Sequence, residues 1–128
     1  MEKRTSNEDN RKLVVQALIT RIEDKNKESE IRTSLVEGYK KPVKIVEEGE
    51  NRKGYVPDIT SKADDQIDLY EIELDPEKDG LVDKWRLFSI YTDETQGNLN
   101  IVTPKNKLDQ IKGLLKENQI RARIIYFA

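Results

Sequence analysis

Glu71 and Glu73 stand at alternate positions in residues 67–74, a run otherwise dominated by Ile, Leu and Tyr that reads as a strand. Side chains two apart on a strand project from the same face, so the two carboxylates share one side of a largely apolar segment. Like charges on one half-buried face are unfavourable without a neutralising partner, and a divalent cation held by oxygen ligands or a basic side chain supplies one. A Pro-Asp pair, Pro57-Asp58, precedes the paired acids by about a dozen residues and adds a third acid to the same part of the chain.

The 128 residues suit one domain, 1–128, with a modest core. The chain has no cysteine and no histidine, which removes thiolate and imidazole metal sites, Ser-His and Cys-His nucleophile pairs, and histidine acid-base catalysis. Catalysis would have to run on carboxylates, lysines, hydroxyls or a metal held by oxygen. No apolar run approaches the roughly 18 residues of a membrane span, and the start, Met-Glu-Lys-Arg-Thr-Ser, lacks the apolar stretch of a signal peptide. The expectation is a cytoplasmic protein with no membrane partner.

Charge is unevenly spread. Residues 64–83 carry nine acids against the single Lys78, whereas residues 98–128 carry six basic residues against Asp109 and Glu117. Lys40, Lys41, Lys44, Arg52 and Lys53 gather around a predicted hairpin. An acidic centre with basic flanks suits a metal site that receives a phosphodiester backbone, although charge runs are more often simply solvated faces and turns.

Ser6 with Asp9 resembles a capping box, and Leu13, Val14, Ala17, Leu18 and Ile22 recur at helical spacing, predicting a helix over 7–28. Residues 31–41 extend that helix or form a loop. Residues 42–47 read as a first strand, 49–54 as a turn, and 55–62 and 67–74 as second and third strands joined like a hairpin. Leu81, Val82, Trp85 and Phe88 mark a second helix, its start blurred by Gly80. Residues 98–102 form a fourth strand after a Gln96-Gly97 turn. Thr103 then caps a third helix with Pro104 at its first position, buried through Leu108, Ile111, Leu114 and Leu115, and 121–127 close as a fifth strand. The order α-β-β-β-α-β-α-β predicts an α/β sandwich with a mixed central sheet.

That order, with an acid after proline on the second strand and acid-x-acid on the third, resembles the PD-(D/E)XK nuclease superfamily, the restriction-endonuclease-like fold, from about residue 7 to the end. The resemblance implies a magnesium- or manganese-dependent nuclease hydrolysing phosphodiester bonds in DNA. Asp58 matches the aspartate of the family's Pro-Asp and Glu71 its second acid, with the carbonyl of Ile72 completing the metal ligands. Glu73 occupies the place of the family's lysine, a replacement some restriction endonucleases share. A basic substitute is then expected from Lys84 on the following helix, as in some family members, or from Lys62 on the face of Asp58, with Lys84 preferred.

Glu23 and Glu37 are further acids that could join a metal, and nothing in the sequence chooses between them. Trp85, Phe88 and Tyr91 read as core aromatics rather than base-stacking platforms. Two other readings stand beside the nuclease. One is a catalytically inactive module of the same fold that binds nucleic acid or a protein partner; the other is an unrelated α/β regulatory domain, in which Asp58 would lie far from both glutamates. A chain this short would cut both strands of a duplex as a homodimer or within a larger complex, with 121–127 as a candidate joining edge.

Overall fold

The computed structural model describes residues 7–49 and 53–128. Its centre is the strand foreseen around the paired acids, β5 (Gln66–Ile72), where odd and even positions part company. Leu69 packs into one hydrophobic cluster and Ile72 into another, on opposite faces. Five strands surround this alternation in the order β1-β4-β5-β6-β7: β1 (Glu30–Thr33), β4 (Ile59–Ala63), β5, β6 (Leu99–Pro104) and β7 (Arg123–Phe127). The β1-β4 and β4-β5 pairs are antiparallel, whereas β5-β6 and β6-β7 are parallel. The parallel pairs need crossovers, which α2 (Leu81–Glu94) and α3 (Leu108–Glu117) provide.

Trp85 and Phe88 of α2 and Ile111 and Leu115 of α3 cover one face with Leu69, Leu99 and Ile101. The other face packs on α1 (Asn7–Lys25) through Val15, Leu18, Ile19 and Ile22, against Ile31, Ile59, Ile72 and Val102. The described residues therefore form a mixed α/β fold with a five-stranded mixed sheet and three α-helices.

Several local expectations are corrected. The first strand of the main sheet is not 42–47 but β1, inside a stretch read as helix or loop. Within 42–47 only β2 (Ile45–Val46) is extended, and it pairs with β3 (Gly54–Tyr55) in a separate two-stranded ribbon. Ile45 and Tyr55 pack onto the α2 cluster, with the Tyr55 ring edge-on to Phe88 at 6.3 Å. The α1 stripe is rotated by about one position: Leu13 and Ala17 face solvent while Val15 and Ile19 are buried. Pro104 ends β6 with extended backbone, and the turn Lys105–Lys107 intervenes before α3, so Thr103 does not cap that helix. Ser6 of the foreseen capping box lies outside the described residues, as do 50–52 of the foreseen turn. Among the described residues no helix is long and apolar enough to cross a membrane.

The return from α2 to β6 is clamped onto the start of β5. Gly97 N–H donates to Thr92 O, Asn98 N–H donates to Asp68 Oδ1 at 2.8 Å, and Leu69 N–H donates to Asn98 O. A Cβ at Gly97 would stand 1.8 Å from the Ile67 carbonyl oxygen, a main-chain atom that cannot swing aside. Gly97→Ala is therefore expected to destabilise by about 1–3 kcal/mol, the usual cost of overpacking. Gly113, exposed within α3 with open space at its Cβ, gives the opposite expectation: alanine there stabilises by about 0.5–1 kcal/mol. Denaturant midpoints of the two variants at unchanged slope check both signs.

Candidate functional site

The site forms at the C-terminal end of β5, where the antiparallel half of the sheet meets the parallel half. Ile59 pairs with Tyr70, so one step further along the register Asp58 lies opposite Glu71. The two are joined through the backbone: Asp58 N–H donates to Glu71 Oε2 at 2.7 Å, and Ile72 N–H donates to Asp58 Oδ2 at 2.8 Å. Thr33, buried at the end of β1, steadies the same loop; its hydroxyl donates to the Asp58 carbonyl at 2.8 Å and accepts from Leu35 N–H.

Alternation puts Glu71 and Glu73 on the face covered by α2, and both are buried, at 2% and 4% exposure. Gly80, in the left-handed region at φ 81°, starts that helix one residue before Leu81, so Lys84 and Trp85 arrive in its first turns directly over the acids. Lys84 Nζ lies 2.8 Å from Glu71 Oε1 and 3.1 Å from Glu73 Oε2. Trp85 Nε1 donates to Glu73 Oε2 at 2.8 Å. The two glutamates are thus tied together by one ammonium, and Glu73 is a buried, partnered group rather than an exposed strand end.

A further cation comes from a residue the sequence reading passed over. Arg11 stands four residues before Val15, hence on the buried stripe of α1. Its Nη1 is 3.0 Å from Asp58 Oδ2 and 2.6 Å from the Ile72 carbonyl oxygen. Spacing alone does not single it out: Arg11 stands seven residues before Leu18 and eleven before Ile22, at the margin of the foreseen stripe, where an arginine is ordinarily read as reaching solvent. Trp85 was read as core, and it is fully buried, but its indole N–H also serves the site.

The remaining candidates fall elsewhere. Lys62 shares the strand face of Asp58 but lies four residues along β4, about 13 Å at extended spacing, and is exposed beside Glu30 and Arg32. Glu23 is exposed on α1, and Glu37 is exposed at the rim of an open cleft of about 600 Å³. That cleft also takes in Lys12, Lys41 and Thr33, so it begins beside the Asp58 loop.

Electrostatics follow from this packing. Burial, then the charges of Asp58 and Glu73, push the Glu71 carboxyl up to about 8 against the pull of Lys84. Burial works against the Lys84 charge, but Glu71 and Glu73 outweigh it and hold its pKa above the ordinary value, so Lys84 is cationic at neutral pH. Asp58, Glu71 and the Ile72 carbonyl make an all-oxygen donor set of the kind a hard divalent cation takes. One cationic nitrogen, that of Arg11, already sits between two of these three groups. Among the described residues no group of three or more acidic side chains stands ready to hold a metal ion.

The raised Glu71 pKa has a definite sign. From its ordinary 4.5 up to about 8 the folded state keeps a proton that the unfolded state has lost, so this group's contribution to stability falls as pH rises through that window. Lys84 titrates above the window and adds no slope within it. The melting temperature of the protein is expected to fall from pH 5 to pH 8, and Glu71→Gln to flatten that fall and melt higher than wild type at pH 8; a wild-type melting temperature that is level across the range would contradict the assignment. Compared with family models, curated proteins and solved structures, the chain matches none of them, so the functional reading rests on this geometry.

Proposed function

We propose that the protein is a metal-dependent nuclease of the PD-(D/E)XK type, hydrolysing phosphodiester bonds in DNA, with Lys84 in place of the lysine that the strand motif lacks. The observation that carries this reading is that Asp58 is hydrogen-bonded to Glu71 and shares the Arg11 nitrogen with the Ile72 carbonyl at the end of β5, with Lys84 Nζ 2.8 Å from Glu71. The element order and the mixed sheet support a restriction-endonuclease-like fold, and the acidic pair at the C-terminal end of β5 supports the position of its site.

Asp58, Glu71 and the Ile72 carbonyl would hold magnesium or manganese. Such an ion, when bound, polarises a phosphate and lowers the pKa of an attacking water. The chain's own groups do the rest. Lys84, charged at neutral pH, acts as a donor that orients water and stabilises developing negative charge, rather than as a base. Glu73, held by Trp85 and Lys84, positions that ammonium. The cleft beginning at Thr33, with Lys12 and Lys41 on its wall, offers a cationic track for a phosphodiester backbone. Cutting both strands of a duplex requires two such sites, and β7, the outer strand of the sheet, offers an edge for joining a second copy.

The inactive binding module is favoured by one observation, the guanidinium of Arg11 seated between Asp58 and Ile72. Cleavage separates the two readings. With magnesium or manganese the protein is expected to cut mixed DNA substrates, Asp58→Ala to abolish cutting, and Lys84→Ala to slow it by roughly 10²–10⁴-fold, the range of a lost proton-handling or charge-stabilising group. DNA binding without cleavage at any metal concentration would leave the inactive module.

A further inference from the structure

We infer that Arg11 is an exchangeable counter-cation of the site: its guanidinium neutralises Asp58 and donates to the Ile72 carbonyl when no metal is bound, and a divalent ion must displace it to enter. The inference rests on the metal-dependent reading above. A single nitrogen, Nη1, is within hydrogen-bond reach of both Asp58 Oδ2 (3.0 Å) and Ile72 O (2.6 Å). Magnesium binds oxygen at about 2.0–2.1 Å, so an ion sharing these two oxygens would press against that nitrogen, and two cations cannot occupy one place. Displacement and binding are therefore one event.

The arginine is built to leave. Its side chain is 27% exposed rather than sealed in, and it is joined to α1 by a flexible stem, so the guanidinium can swing out while Val15 and Leu18 keep the helix on the sheet. A planar guanidinium released beside a phosphodiester is also a good ligand for it, since arginine pairs bidentately with phosphate. Metal and nucleic acid are then expected to favour one another: the ion takes the oxygens that Arg11 gives up, and the phosphate takes Arg11.

Titration calorimetry with manganese alone, on wild type and on Arg11→Gln, tests the exchange. Arg11→Gln is expected to bind manganese about tenfold more tightly, within the usual range of coupling between competing ligands. It should also melt lower than wild type without metal and recover as manganese is added. Arg11→Lys, which keeps the charge on a differently shaped head, should fall between the two and guards against a glutamine variant that folds poorly. Equal or weaker manganese binding by both variants, while wild type still cleaves DNA, would overturn the exchange and leave the nuclease reading standing. No manganese binding by any of the three proteins would overturn both. Binding by the variants but not by wild type would make Arg11 a fixed occupant that manganese cannot displace and would overturn the exchange.

Discussion

Two carboxylates buried two residues apart, Glu71 within β5 and Glu73 just past its end, are the constraint around which the rest of the molecule is arranged. Neither could remain there alone, because a buried charge without a partner costs several kcal/mol. Each nearby element answers part of that demand. The first turns of α2 bring an ammonium and an indole N–H, the loop before β4 brings a backbone N–H, and α1 brings a guanidinium to Asp58 beside them. Even so, burial first, and then the charges of Asp58 and Glu73, hold the Glu71 carboxyl up at about 8, so the compensation leaves an imbalance. A surface ion pair would not leave such a residue.

The sheet places this imbalance where it can be used. On one side of β5 the chain turns back in a simple antiparallel pair; on the other it must cross over a helix to reach β6. The crossover starts at β5's C-terminal end, so that end has both a strand terminus with its carbonyls and the beginning of a helix above it. Glu73 belongs to both arrangements: its N–H donates to Val102 O of β6 while its carboxylate meets α2. A change in how α2 sits would thus be felt at the pairing of β5 and β6.

How much of this could be read from residues alone depends on how strong each local pattern is. The acidic alternation of β5 and the Leu81, Trp85, Phe88 spacing of α2 are strong, and both elements lie where expected, with Asp58, Glu71 and Lys84 within reach of one another. Strand β1 escaped notice because Glu-Ile-Arg-Thr offers one aliphatic side chain, and its other buried position is the polar Thr33. The β-branched residues of 42–47 look more like a sheet strand than β1 does, yet Val43 stays exposed and only Ile45 is buried. Helix α1 is apolar at 13, 14, 15, 17, 18, 19 and 22, so its sequence permits two stripes. Tertiary packing chose Val15 and Ile19 beside Leu18 and Ile22. Spacing could not make that choice, since it depends on Ile59 and Ile72 from strands more than 35 residues away in the chain.

Trp85 carries one last consequence. It is the only tryptophan in the chain, fully buried, and its indole N–H is committed to Glu73, the carboxylate that also holds Lys84. Tryptophan emission, excited at wavelengths too long for the tyrosines, therefore comes from a single reporter one hydrogen bond from Glu73. Any event that redistributes charge there changes the field across that indole, which gives the molecule an internal optical gauge of its own site without a label.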